Sequence, residues 1–369
     1  MRLNKIMQFC FKLLMQKIFI LIHGRIKEHN ESEKLNFKKQ KIEKINLKNN
    51  TQYKISNQIY EIPNGRVYTD SIEHVAVIQD KTIIREISYQ QIKGELKTSK
   101  FNKVLSVGTP RITKNIDGKV LSLVQGASGN NYFHFLYDII PKIKLCEEKY
   151  SLNEIDFFYV PNNLNWQKEI LSTFGIENSK LINSQIYRHI KAKNLIISDH
   201  PWYKKGFIQT EIYNTLPEWI LFWLRDKFLN LSKKFICSDK IFIDRSESKW
   251  KHCKLINNDE IIKYLSNHGF KSYQVGKLNF FEQIYLFKQA KTIIGPHGAA
   301  FSNIVFSNPG TNLIEIIPED HPSKKCEKFS KILNINYTKV NVPKVNNFNH
   351  SLGDMKIDIN EIKKIIEKL

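Results

Sequence analysis

His297 stands between Pro296 and Gly298 in the stretch Thr292 to Pro318, TIIGPHGAAFSNIVFSNPGTNLIEIIP. The apolar run Thr292-Ile293-Ile294 reads as a buried strand, and it stops at the loop Gly295-Pro296-His297-Gly298-Ala299-Ala300. A helix-compatible segment follows from about Phe301, then a turn at Asn308-Pro309-Gly310-Thr311 and a second apolar run, Asn312 to Ile317, ending at Pro318. This order is a βαβ unit whose loop lies at the carboxyl end of a parallel sheet. Free backbone N–H groups and a helix N-terminus there suit a phosphate or diphosphate. Gly295 and Gly298 let the backbone come close to a ligand. His297 can donate to a phosphate oxygen, and Glu315 can accept from two adjacent ribose hydroxyls.

A second constellation lies in Gly129 to Pro141, GNNYFHFLYDIIP. Asn130 or Asn131 can cap a helix. His134 and Asp138 are then four apart and share one face. Pro141 would kink or end that helix. A carboxylate one turn from an imidazole, among aromatic and apolar neighbours, can shift the pKa of both. Taken alone, the same spacing is met more often in purely structural helices.

The elements that must position these residues read as α/β. Ile59 to Val124 carries short β-prone runs at Val75–Ile78, Thr82–Ile87 and Lys119–Val124, bounded by turn residues. Ile155–Val160 and Leu195–Ser198 read as further strands, and Trp166–Phe174 as a helix stopped by Gly175. Thr215 and Glu218 have capping-box spacing and open a helix to about Leu229. From Ile241 to Ile317 strands and helices alternate as in half of a dinucleotide-binding fold. Beyond it, Cys326–Leu333 reads as a helix, Asn336–Val342 as a strand and Ile359–Leu369 as an amphipathic helix.

The chain of 369 residues is long enough for two domains. We expect a basic segment and linker over 1–58, an α/β domain over 59–232, a Rossmann-like domain over 233–345, and a terminal helix over 346–369 that packs back. Residues 1–30 hold apolar runs broken by Lys12 and Lys17, too short for a membrane span. They fit either a basic helix resting on an anionic bilayer or an ordinary helix packed on the domain. Residues 27–55 read as a solvated linker or exposed helix. No small-residue cleavage site is present, so a secretory leader is not expected. The five cysteines are scattered, with no C-x-x-C pair, which argues against a disulfide framework or zinc site. The net charge of +21 points to anionic partners such as a nucleotide sugar, an acidic glycan or an anionic lipid, or else to a lysine-rich solvated surface. Nucleic acid is not expected, because no recognised binding module accompanies the charge.

Four segments together resemble glycosyltransferase family 61: Asn131 to Pro141; Ile241-Phe-Ile-Asp-Arg245-Ser; Leu278-Asn-Phe-Phe-Glu282-Gln-Ile; and Gly295-Pro-His297-Gly298-Ala-Ala-Phe-Ser-Asn303 with Pro309-Gly310 and Glu315. The resemblance runs from about Asn130 to Pro318. It implies a GT-B fold, two Rossmann-like domains facing a cleft, and inversion at the anomeric carbon. It implies a donor-binding set of Arg245, Gly295, His297, Gly298, Ala299, Asn303 and Glu315. It also implies an acceptor-side pair, Asp138 and His134, either of which could take the proton. Ala300 and Asp244 depart from the family pattern, where Gly and a small residue are expected.

Inverting transfer needs a base for the acceptor hydroxyl and a stabiliser for the departing diphosphate. A basic residue and a helix N-terminus supply the second without a metal, and no D-x-D is present, so no metal or other cofactor is expected. The expected activity is transfer from a nucleoside-diphosphate sugar, UDP-linked, to a glycan or lipid-linked acceptor in surface or capsular polysaccharide. The expected place is the cytoplasm or the inner face of the membrane. The rival readings are a non-catalytic nucleotide-sugar or glycan-binding module of the same fold, and another two-domain sugar enzyme such as a polysaccharide pyruvyltransferase, which Asn131 to Pro141 disfavours.

Overall fold

A computed structural model describes residues 2–29, 35–48, 50–69, 74–88, 90–92, 95–97, 99–126, 129–202, 216–247, 253–345 and 353–367. The chain divides into two compact units, Met1–Ile212 and Tyr213–Leu369. The boundary expected between 232 and 233 moves upstream for a physical reason. Helix Glu218–Phe228 belongs with the second unit, where Arg225 donates to the carbonyls of Val305 and Ser307, at 2.6 and 2.7 Å, and Phe228 packs edge-on against Phe280. The capping pair expected at Thr215 and Glu218 falls partly outside the described residues, since Thr215 is not among them.

The first unit is built on a ten-stranded mixed sheet rather than a plain Rossmann sheet. Its parallel part runs His189–Ser198, Lys114–Ser122, Phe157–Val160 and Leu181–Asn183. Antiparallel strands Gln52–Pro63 and Arg66–Thr69 both pair with His189–Ser198. Residues 27–55, read as a linker or exposed helix, instead contribute strand Lys38–Asn46, which pairs antiparallel with Gln52–Pro63. A register shift between Ile42 and Lys44 lets Ile42 and Ile45, three apart, both be buried, which hides the alternation that marks a strand. The division expected at residue 58 therefore cuts through a hairpin of the sheet. The run Thr82–Ile87 is a strand only over Thr82–Ile83, followed by a 3₁₀ turn, Arg85–Ile87.

Arg2–His23 forms one helix. The window Ile6–His23 has mean hydropathy 1.4, only 6% of it is buried, and by length and composition it could cross a membrane. This corrects the expectation that no stretch is long enough. A continuous helix joins the two apolar runs, and Lys12 and Lys17 are the only charges in the window. It also departs from the packed-helix alternative. Met7, Phe11, Leu14 and Leu21 share a face by helical spacing and are 64, 63, 55 and 86% exposed. Among the described side chains the last turns dock, through buried Phe19 and through Ile20 against Gly108.

In the second unit five strands are all parallel, in the order Lys271–Tyr273, Lys240–Ile243, Thr292–Pro296, Asn312–Pro318, Asn336–Val342. Apolar runs such as Ile241-Phe242-Ile243 and Leu313-Ile314 are fully buried, as a sheet covered on both faces requires. Helix Phe280–Gln289 starts at an Asn279–Glu282 capping box. Helix Ile359–Ile366 buries Ile362 in the same core as Ile261 and Leu265. Chain order reverses between Lys240–Ile243 and Thr292–Pro296, and sheets of this order bind ligands at that switch point, beyond the strands' carboxyl ends.

Candidate active site

In the first unit the Asn131 side chain accepts from the His134 backbone N–H and starts a helical turn, Tyr132–His134. A π-helical turn follows over Phe135–Ile139, closed by the Ile140 N–H donating five residues back to Phe135. Helix Pro141–Glu147 completes the segment. Pro141 therefore neither ends nor simply kinks the helix; it follows a widened turn. Having no N–H, it leaves the Tyr137 carbonyl without a helical donor. Trp202 Nε1 takes that carbonyl at 3.0 Å and donates to Asp138 Oδ1 at 2.9 Å.

Asp138 Oδ2 faces His134 Nδ1 at 2.7 Å and lies 3.7 Å from His200 Nε2. All three residues are buried. Burial alone would raise the Asp138 carboxyl, but His134 and His200 outweigh it and hold it at about 2. Burial lowers His200. A charged carboxylate on Nδ1 fixes that nitrogen as the protonated one, which leaves His134 Nε2 as the basic atom. Asp138 has both oxygens engaged and 3% exposure, so it orients the imidazole. His200 and Trp202 were not singled out in sequence. Their signal is position: they follow strand His189–Ser198, parallel to Lys114–Ser122, so both strands deliver residues to the same edge.

In the second unit the switch-point loops carry Arg245 and His297. Arg245 donates through Nη1 to the His297 carbonyl. Asp244, one of the two departures from the family pattern, shapes this loop by accepting from the Ser246 N–H, Ser246 Oγ, Asn258 and Gln274, at 2.8–3.1 Å. Lys325, which sequence reading missed, is 4% exposed and donates to the Gly298 carbonyl at 3.2 Å. The His321 ring lies 4.2 Å from that of His297.

Three expected donor contacts change role. Glu315 is 1% exposed and accepts from His297 Nδ1 at 2.5 Å, Cys326 Sγ at 3.1 Å and Tyr337 Oη at 2.7 Å. It orients the imidazole instead of presenting itself to a ribose. Burial alone would raise its carboxyl, but His297, Tyr337 and Cys326 hold it at about 2. Burial lowers His297 in spite of Glu315, so Nε2 is an acceptor until a proton arrives. Asn303 is fully buried and donates to Gln283 at 2.9 Å, tying two helices together. Gly295 sits inside the sheet, where a Cβ would lie 2.7 Å from Ile243 Cβ, so it serves strand packing.

Gly298 is different: a Cβ there would lie 2.6 Å from Arg245 Cζ. The segment beyond it is a 3₁₀ helix, Ala299–Phe306, rather than an α-helix. Gly298 offers no side-chain cap, so the first N–H groups, those of Ala299 and Ala300, point out of the helix start. The two glycines should therefore separate in mutation. Gly295→Ala overpacks the sheet and should cost about 1–3 kcal/mol of stability in urea unfolding. Gly298→Ala meets the far end of a flexible side chain, so it should cost less stability than Gly295→Ala in the same unfolding experiment while pushing the guanidinium off the His297 carbonyl.

Each cluster fits one half of a group transfer: an oriented imidazole base in the first unit, and a cationic loop with open N–H groups in the second. Residues 132–314 match the family model described as Glycosyltransferase 61, a span that opens at the His134 turn and closes one residue before Glu315. A search of curated proteins returns no significant match. Through that span the chain belongs to glycosyltransferase family 61.

Proposed function

We propose that this glycosyltransferase moves a sugar, with inversion, from a UDP-linked donor to a hydroxyl of a glycan or lipid-linked acceptor, in surface or capsular polysaccharide synthesis. The carrying observation is the switch-point loop, where Arg245, His297 and the N–H groups of Ala299 and Ala300 meet at the carboxyl ends of parallel strands. That set supports binding of a diphosphate. Arg245 and the backbone donors take the charge that develops as the nucleotide leaves. His134 Nε2 removes the acceptor proton, with Asp138 stabilising the imidazolium. We place the two units in the GT-B layout that the family implies. The exposed helix Arg2–His23 supports a cytoplasmic enzyme held at the inner face of the membrane.

Among the described residues no group of three His, Cys, Asp or Glu side chains is disposed to hold a metal ion. We propose that the cations named above act in its place. A radiolabelled-donor assay with a panel of nucleotide sugars tests the reading. Transfer or slow donor hydrolysis should persist at full rate in EDTA. Loss of activity with chelator, restored by manganese, would end the metal-free reading; no turnover of any donor would leave a binding module instead.

A further inference from the structure

The first unit carries a cavity of about 430 Å³ away from the His134 cluster, and its wall includes Ile22 and His23 of the N-terminal helix. Arg66 forms its charged core. This residue is only 6% exposed, and its guanidinium donates to neutral atoms: the Asp80 carbonyl at 2.6 Å and His189 Nε2 at 3.4 Å. No carboxylate lies within ion-pair distance of it among the described residues. His189 is a neutral acceptor, since burial pushes it down to about 3, and its Nδ1 faces Thr113 Oγ1 and the Arg111 carbonyl, both at 3.0 Å. A buried cation whose acidic neighbour, Asp80, is exposed and outside ion-pair distance is costly.

The sheet adds to the imbalance. Arg66 is the direct cross-strand neighbour of Lys191, which is itself opposite Asn115 on the next strand. Two cations in that relation repel. Lys81 lines the same cavity, its stem against Gly24, where φ is +74° and the helix ends. Among the described residues the only acid in the wall is Asp80, which is exposed. Three cations thus face one carboxylate, with the hydroxyl of Thr113 beside them. One buried guanidinium and two ammonium groups around a polar space match the oxygens of a phosphate. The apolar helix fixes its source. His23 is held by Thr113 at 3.3 Å and packs against His189, so the cavity sits where the exposed apolar face ends.

We propose that the Arg66 cavity binds the phosphate of a membrane lipid headgroup, at the end of the helix that lies in the bilayer. The anion site stands on Arg66, Lys81 and Lys191; its lipid source alone rests on the membrane reading, and neither depends on the donor loop of the second unit.

Full-length protein is floated with vesicles of a phosphate-free glycolipid, digalactosyldiacylglycerol, containing either phosphatidic acid or, at equal surface charge, oleate, an anion without phosphate. Binding to phosphatidic acid vesicles should be at least about tenfold tighter, the size of a lost charged hydrogen-bond pair. Lys81→Ala with Lys191→Ala, both exposed and expected to leave folding intact, should abolish that preference. Removing the same charge from the other unit, with Lys263→Ala and Lys331→Ala, should not. Equal binding to both vesicles, or a preference that survives the first double variant, overturns the proposal. Calorimetry with inorganic phosphate forms the second arm. If phosphate in solution binds as tightly as the vesicles, and only when Lys81 and Lys191 are present, the lipid source is overturned.

Discussion

Replacing Asp138 with Asn should lower kcat by at least about 100-fold while the affinity for UDP stays unchanged. Asp138 accepts from His134 Nδ1 and Trp202 Nε1, and it is charged at neutral pH. An amide of the same shape can still satisfy Trp202 through its oxygen. It then turns its NH₂ toward Nδ1, which drives the imidazole proton to Nε2, the atom that must accept. The base is lost by tautomer, without a cavity and without a gap in packing. Two readings separate this from a structural effect. UDP calorimetry should match wild type and single-turnover transfer should fall with kcat, whereas some stability is lost in either case because the native state holds this carboxyl well below its ordinary pKa. A variant with near wild-type turnover removes the pair from catalysis. His134→Ala should fall at least as far. His200→Gln, which touches Asp138 only at 3.7 Å, should cost less.

UDP binding should weaken about ten- to a hundred-fold in His297→Ala, and at least as much in Arg245→Ala, the scale of hydrogen bonds to a charged group. The same binding should consume a proton. In the free protein burial holds His297 below its ordinary pKa, so at neutral pH the ring is neutral and donates Nδ1–H to Glu315. A diphosphate arriving near Nε2 raises that pKa, and the imidazolium then donates to it. The sign follows: affinity rises as pH falls, and levels off once His297 is already protonated in the free protein. Calorimetry in buffers of different ionisation enthalpy reads the proton uptake directly. His297→Ala should lose both the uptake and the pH dependence. Binding that is insensitive to pH, or unchanged in that variant, contradicts the placement of the diphosphate.

The second unit could be read closely because a parallel sheet buried on both faces turns its inner strands into short apolar runs between turn residues. Lys240–Ile243, Thr292–Pro296 and Asn312–Pro318 stand out in this way, whereas the edge strands Lys271–Tyr273 and Asn336–Val342 are polar and only partly buried. The first unit hid its hairpin, because lysines crowd the exposed positions of Lys38–Asn46 and a register shift breaks the alternation. The N-terminal helix was underestimated because two lysines divide its apolar residues in sequence, though not in space. Residue type and spacing singled out His134, Asp138, His297 and Glu315, and the resemblance to the family added Arg245. What they could not give was partnership. Glu315 meets Cys326 and Tyr337, and Asn303 meets Gln283, all across long separations in the chain. Those contacts turn two supposed ligand groups into internal ones. Trp202 and His200 reach Asp138 from more than sixty residues away, through a strand pairing that no local pattern announces.

The wide turn at Phe135–Ile139 sets a constraint on how this stretch can change in length. Regular α winding advances about 100° per residue. Losing one residue between His134 and Pro141 would let the backbone relax to that winding, a change that looks harmless by helix propensity. The flanking turns would keep their phase, but a loss between His134 and Asp138 would change their spacing from four to three, and the acid would no longer face its imidazole and indole together. An apolar substitution on the far face of this turn can be forgiven; a change in that spacing cannot.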